Sequence, residues 1–245
     1  MTVRRLLAPT LPAAGGLVEL EGASARHALV LRMKVGDTLV LFDGRGQEAD
    51  AVVDAVDRER VSCRAGPCGS VPSENVHLGL MLAIPKGSKL DDCVRMATEL
   101  GVHEIVLLET ERTIPRWSTD RAASRLERLD RVVQEAAAQC ERADIPSIHA
   151  PASLAVSLAR FDQGMLGVVF AARATGRLAA PTTATAAAWC AVGPEGGFTD
   201  VELAAFAEAG FDRATLGPTI LRVETAVPAA LTLVRDRLDG FGQVR

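Results

Sequence analysis

Two short loops hold the densest chemistry in this sequence. The first, Val192-Gly-Pro-Glu-Gly-Gly-Phe-Thr199, places Gly193, Pro194, Glu195, Gly196 and Gly197 in consecutive positions. The second, Leu216-Gly-Pro-Thr-Ile-Leu-Arg-Val-Glu-Thr-Ala226, brings Leu216, Gly217, Ile220, Leu221, Arg222, Glu224 and Thr225 into one stretch. Each loop follows a strand-like segment and precedes a helical one. Glycine tolerates positive φ and lets backbone approach a ligand closely. In open α/β sheets, ligands gather beyond the carboxyl ends of strands. The two loops therefore read as walls of a small-molecule pocket, with Ala171, at the end of an earlier expected strand, counted beside them. They are not a phosphate loop, which needs Gly-x4-Gly-Lys-Ser/Thr. A helix C-cap would account for one glycine per loop, not for three glycines in five residues beside Pro-Glu.

A second group is cationic. Residues 112–131 carry six arginines, at 112, 116, 121, 125, 128 and 131, against Asp120, Glu127 and Asp130. Arg121, Arg125 and Arg128 recur at spacings of three and four, so they share one helix face. A local basic stripe can hold phosphates even on a chain of formal net charge −4. A solvated helix face laced with i,i+4 pairs explains the same pattern, and both readings stay open. His27, His77, His103 and His149 share no metal-ligand spacing, and the cysteines at 63, 68, 93, 140 and 190 form no Cys-x-x-Cys pair. No metal and no disulfide framework are expected.

The elements that must position these residues follow from patterning. The chain has 245 residues, 48% of them hydrophobic, which suffices for one large core or two smaller ones. No apolar run reaches the roughly 20 residues of a membrane span, and no signal peptide precedes the fold, so a cytoplasmic location is expected. The first 65 residues read as short strands, 38–42, 48–56 and 60–64, with a short helix near 23–33, which suggests a small β-barrel. Gly44-x-Gly46-x-x-Ala49 looks like a dinucleotide fingerprint, but it sits between two strand patterns and reads as a hairpin turn. Residues 66–75, rich in Gly, Pro and Ser, read as an interdomain linker.

After residue 75 strands and helices alternate, which implies a largely parallel sheet covered by helices. Strands are expected at 76–83, 105–108, 166–171, 187–192 and 213–216. Ser88 with Asp91 resembles a capping box for a helix ended by Gly101, and Thr199 with Glu202 forms a full one. A long helix is expected over 121–142. A last helix from about Thr225 to Leu238 has Pro228 in its first turn. Val227, Leu231 and Val234 give that helix an apolar stripe, read as part of a dimer interface.

The two loops resemble the signature of the RsmE family within the knotted SPOUT class of methyltransferases. Four further features agree. Pro85-Lys-Gly87 followed by Ala97-Thr-Glu-Leu-Gly-Val102 is similar to the family's first helix. Glu111-Arg112-Thr113 stands where the family has a Ser-Glu-Arg-type loop. Glu135-Ala-Ala-Ala-Gln139 with Arg142 and Ile145-Pro146 is similar to its central helix. The N-terminal part resembles a PUA-like barrel. Ser88-Lys-Leu departs from a more usual basic run.

The resemblance implies a PUA-like RNA-binding β-barrel over residues 1–70 and a SPOUT α/β domain over 74–245 containing a deep trefoil knot. It implies S-adenosylmethionine bent between the two glycine-rich loops, a homodimer, and N3 of a uridine in 16S ribosomal RNA as the target. N3 must lose a proton for transfer to occur. Arginine stays protonated and cannot take it, so Arg112, Arg142 and Arg222 are cast as clamps for phosphate or uracil oxygens. Glu195 and Glu224 are the candidate proton acceptors, each with an equally available structural role. RNA contacts are expected from Arg121, Arg125, Arg128 and Arg142, and from Arg4, Arg26 and Arg32 on the barrel. A methyltransferase of this class acting on transfer RNA and a non-catalytic RNA-binding protein are the alternatives.

Overall fold

The computed structural model describes residues 4–71, 76–162, 164–172 and 187–238. The chain divides into two units. One holds Met1–Ser73 with Gln134–Ile145, and the other holds Glu74–Val133 with Pro146–Arg245.

The first unit is built on β1 (Arg5–Leu7), β2 (Leu17–Leu20), α1 (Gly22–Val30), β3 (Thr38–Phe42), β4 (Gln47–Val56) and β5 (Val61–Ser70). Alternating apolar residues on these strands, including Leu39, Leu41, Ala49, Ala51, Val53, Val61, Cys63 and Ala65, pack into one core with Leu6 and Leu20. Between β3 and β4, Asp43 Oδ1 accepts the backbone N–H groups of Arg45 at 2.7 Å and Gln47 at 3.0 Å. Gly44 and Gly46 take φ of 75° and 99°. This is the expected hairpin turn, not the strand-to-helix turn that a dinucleotide needs.

The strand order is β1-β3-β4-β5-β2, with β1 parallel to β3 and the other pairs antiparallel. The expected barrel is thus a five-stranded sheet in which β1 and β2 stand at opposite ends of the order. Residues 66–70, expected as linker, continue β5 instead. Ala49 pairs with Cys68 and Ala51 with Ala65, so Gly66 and Pro67 bulge opposite Asp50. A bulge is where a strand tolerates a residue without an N–H. The Gly-Pro pair therefore marks an irregular strand rather than its end.

The second unit contains β6 (His77–Ala83), α2 (Lys89–Glu99), β7 (Glu104–Glu109), α3 (Thr119–Gln139), β8 (Ser147–Ser153), α4 (Leu154–Leu158), β9 (Leu166–Phe170), β10 (Ala187–Val192), α5 (Asp200–Glu208), β11 (Phe211–Ala214) and α6 (Val223–Arg237). From Gln134 onward, α3 groups with the first unit. The sheet is parallel throughout in the order β11-β9-β10-β6-β7-β8. All six residues of β10 are buried, as a strand covered on both faces requires. Trp189 lies against Gly79, where a Cβ would come within 2.4 Å of the indole, so the pairing demands glycine at 79.

Strand β8 escaped the sequence reading because Pro151 interrupts it. It lies at the sheet edge, and its register slips opposite Val106 and Leu108, which again absorbs a proline. Ser88 makes no side-chain cap bond, so that capping box is not formed, whereas Thr199 and Glu202 form theirs reciprocally. Helix α6 starts at Val223 with Arg222 extended as its N-cap, which puts Pro228 in the second turn, not the first.

Val227, Leu231 and Val234 are fully buried, and α6 packs on α2 and β10. That stripe belongs to the chain's own core, while Leu233 on the same helix is exposed. Spacing alone cannot tell a stripe buried within one chain from one buried between two.

Candidate active site

The carboxyl ends of β9, β10 and β11 lie side by side because β10 is inserted between β9 and β6. Loop residues 193–199 and 215–222 leave from there and enclose a cavity of about 360 Å³, completed by Arg112 after β7. Of the residues expected around a cofactor, Ala171, Gly193, Pro194, Glu195, Gly196 and Gly197 line it, as do Leu216, Ile220 and Leu221. Gly217, Arg222 and Thr225 do not. The cavity also takes Asp200, Arg213 and Thr215, which the sequence reading missed. Arg213 and Thr215 flank the end of β11, which lies two residues earlier than the strand that the pattern puts at 213–216, so in sequence both read as strand rather than loop.

Close packing explains the glycines. A Cβ on Gly193 would sit 3.2 Å from the Phe198 ring, and one on Gly196 would sit 3.3 Å from Arg112 Cβ and Cδ. Gly197 and Gly217 take φ of 68° and 119°, a region that L side chains rarely adopt. Arg112 Nη1 donates to the carbonyls of Gly196 at 2.8 Å and Phe198 at 3.4 Å. Its guanidinium thus clamps the first loop. In the second loop, Thr215 Oγ1 accepts the Gly217 N–H at 3.3 Å.

Both candidate carboxylates meet lysine. Lys89 Nζ is 3.1 Å from Glu224 Oε2 and 3.9 Å from Glu195 Oε1. The Lys86 N–H donates to Glu195 Oε1 at 3.1 Å. A hydrogen bond from its own backbone N–H, with Lys89 beside it, holds the Glu224 carboxyl below its ordinary range. Glu224 is therefore an anion with little pull on a proton. Buried beneath them, Cys93 has its thiol pushed up to about 12 by desolvation first and then by Glu224. It is a neutral packing group, not a nucleophile.

The arginines separate into distinct settings. Arg121, Arg125 and Arg128 are all exposed on α3. Arg125 stacks over the Trp117 ring at 5.2 Å, and Arg128 pairs with Asp91. On the first unit, Arg4 pairs with Asp37 at 2.6 Å, while Arg26 and Arg32 are exposed. Arg32 holds φ of 52° just past the end of α1, a position glycine usually fills. Arg142 is only 8% exposed and is paired with Asp144, while its carbonyl accepts from Arg5 Nη2 at 3.3 Å. Its guanidinium is paired inside the first unit, with little of it exposed. Among the described residues no His/Cys/Asp/Glu group is arranged to hold a metal.

The sequence profile described as an RNA methyltransferase domain matches residues 72–235, and that of an RNA methyltransferase PUA domain matches residues 20–65. A Mycobacterium bovis protein named ribosomal RNA small subunit methyltransferase E is 33% identical over 231 residues, covering 92% of this chain and 88% of that protein. The chain belongs to the ribosomal RNA small subunit methyltransferase E family. A Bacillus subtilis member is 26% identical, covering 88% of each chain. The crystal structure of the Neisseria gonorrhoeae member bound to S-adenosyl methionine superposes with a TM-score of 0.88 at 28% identity, covering 96% of this chain and 97% of that one. A Legionella pneumophila methyltransferase in complex with the same cofactor also gives 0.88 at 28% identity, covering 96% and 98%. Family membership accounts for the PUA-like first unit and the mixed α/β second unit.

Proposed function

We propose that this protein transfers a methyl group from S-adenosylmethionine to N3 of a uridine in 16S ribosomal RNA. The carrying observation is the cavity between the two glycine-rich loops at the carboxyl ends of β10 and β11, in a chain whose relatives bear that cofactor in the corresponding fold. The cavity fits such a molecule. Its volume is in the range of small-molecule sites. Phe170, Val192, Leu221 and Val223 offer apolar wall for a base, and Arg112, Glu195, Asp200 and Arg213 offer charges for a zwitterionic amino-acid tail.

The bound cofactor supplies an electrophilic methyl group on a sulfonium. The chain's part is to align the uracil, take the N3 proton and steady charge on the oxygens. Of the two carboxylates, Glu195 lines the cavity and Glu224 does not, so Glu195 is the proton acceptor we favour. To Arg222, exposed at the N-cap of α6, we assign the steadying of the uracil oxygens. Arg112 acts first on the loop.

We read residues 74–245 as a knotted SPOUT domain, of which Gln134–Ile145 groups with the first unit, and residues 1–70 as an RNA-binding PUA-like barrel. The profile matches support this division. We also read the protein as a cytoplasmic homodimer; no helix among the described residues is long and apolar enough to cross a membrane. The test is transfer of label from methyl-tritiated S-adenosylmethionine to purified 16S RNA or small subunits from a strain lacking the gene. Incorporation into 16S RNA supports the proposal. Incorporation into transfer RNA alone, or none despite RNA binding, refutes it.

A further inference from the structure

We propose that Lys89 is a positioning residue that latches the two glycine-rich loops together, and that cofactor affinity depends on this latch. The inference rests on the cofactor reading of the cavity. Lys89 Nζ reaches Glu224 at 3.1 Å and Glu195 at 3.9 Å, while the Lys86 N–H holds Glu195 at 3.1 Å. One short segment after β6 therefore grips the first loop and the first turn of α6, into which the second loop runs, although Glu195 and Glu224 stand more than a hundred residues further along the chain.

The latch has a physical reason to exist. Loops with this much glycine lose more backbone entropy on ordering than other sequences do. Their geometry must then be imposed by neighbours, and pre-organisation appears as affinity. Arg112 holds the first loop through its carbonyls. Lys89 holds the same loop from its carboxylate and ties it to the start of α6. Lys89 itself stands on a rigid base, because it opens α2, whose Leu90, Cys93, Val94 and Ala97 are buried. Without the ammonium between them, Glu195 and Glu224 would be left as like charges that repel across the gap from the first loop to α6.

The experiment compares wild type with Lys89→Met, Lys89→Arg and Glu224→Gln. S-adenosylmethionine affinity is measured by calorimetry at several salt concentrations, and melting temperature by thermal scan. Lys89→Met should weaken cofactor binding on the order of ten-fold, the size of an ordinary coupling between contacting residues. The melting temperature should move little, since half-exposed ion pairs contribute little to global stability. Lys89→Arg should recover most of the affinity. Glu224→Gln should weaken binding in wild type and cost much less in the Lys89→Met background. Added salt should weaken binding by wild type more than by Lys89→Met.

Unchanged affinity in Lys89→Met overturns the latch. So does an affinity loss that only follows a falling melting temperature, or one that arginine does not rescue. If Lys89→Met does not fold, Glu224→Gln decides: full affinity in that variant overturns the proposal. A wild type that binds no cofactor refutes the proposed function instead, which keeps the two failures apart.

Discussion

Replacing Arg112 by alanine separates two jobs that one residue could do. In the structure its Nη1 donates to Gly196 O at 2.8 Å and to Phe198 O at 3.4 Å, and only the first is a strong bond. A hydrogen bond from a charged donor contributes about 1.5–3 kcal/mol when shielded from water. Arg112 is exposed, so water can replace it at the carbonyls, and the low end applies. About 1.4 kcal/mol of lost loop order corresponds to roughly ten-fold in affinity. Calorimetry with S-adenosylmethionine should therefore show a cofactor Kd about ten-fold higher. A single-turnover methylation assay at saturating cofactor and RNA should stay within roughly three-fold of wild type. An unchanged cofactor Kd with turnover down by about a hundred-fold would mean that Arg112 acts on the transition state, and the loop-clamp account would be wrong.

Other outcomes follow from the same geometry. Gly196→Val should crowd Arg112 and reproduce the Arg112→Ala loss of cofactor affinity with little change in melting temperature. A Cβ at Gly217 would meet nothing within 4 Å, but Gly217→Val must hold φ of 119°, so it should cost about 1–3 kcal/mol of stability by thermal denaturation. If α3 meets RNA, Arg121→Ala should flatten the log–log salt dependence of binding by about 0.7, while Arg128→Ala, already paired with Asp91, should change it less. Filter binding across a salt series checks this. Glu224 has a depressed carboxyl pKa, so what its anion contributes is present above the ordinary carboxylate range and is lost only as pH falls through the lower folded value. Cofactor affinity should therefore stay level from neutral pH down to about pH 5, whereas an earlier fall would contradict a Lys89-held anion.

Much of the fold was legible because its signals are local. The six buried residues of β10 and the Thr199–Glu202 capping box announce themselves in sequence, and the structure places both where the pattern does. Prolines misled where a bulge absorbed them. Pro67 hid the end of β5 and Pro151 hid β8, because a missing N–H reads as a break unless the partner strand's register is known. The stripe on α6 pointed to the wrong partner, since periodicity gives a buried face but not what buries it. In the site, glycine spacing revealed the loops, yet Lys89 and Arg213 stayed hidden. A lysine opening α2 and an arginine in β11 gain meaning only when the parallel sheet gathers its strand ends. Arg142 shows what motif position leaves out. Its motif position suggested a clamp, and its burial against Asp144 shows a committed structural pair.

The measurement that bears most directly on the central claim is nucleoside mass spectrometry of 16S ribosomal RNA from cells with the gene, without it, and without it but carrying the Glu195→Gln form. The account predicts 3-methyluridine in the first, none in the second, and little or none in the third while the variant still binds S-adenosylmethionine. 3-Methyluridine persisting at full level in cells without the gene would contradict it.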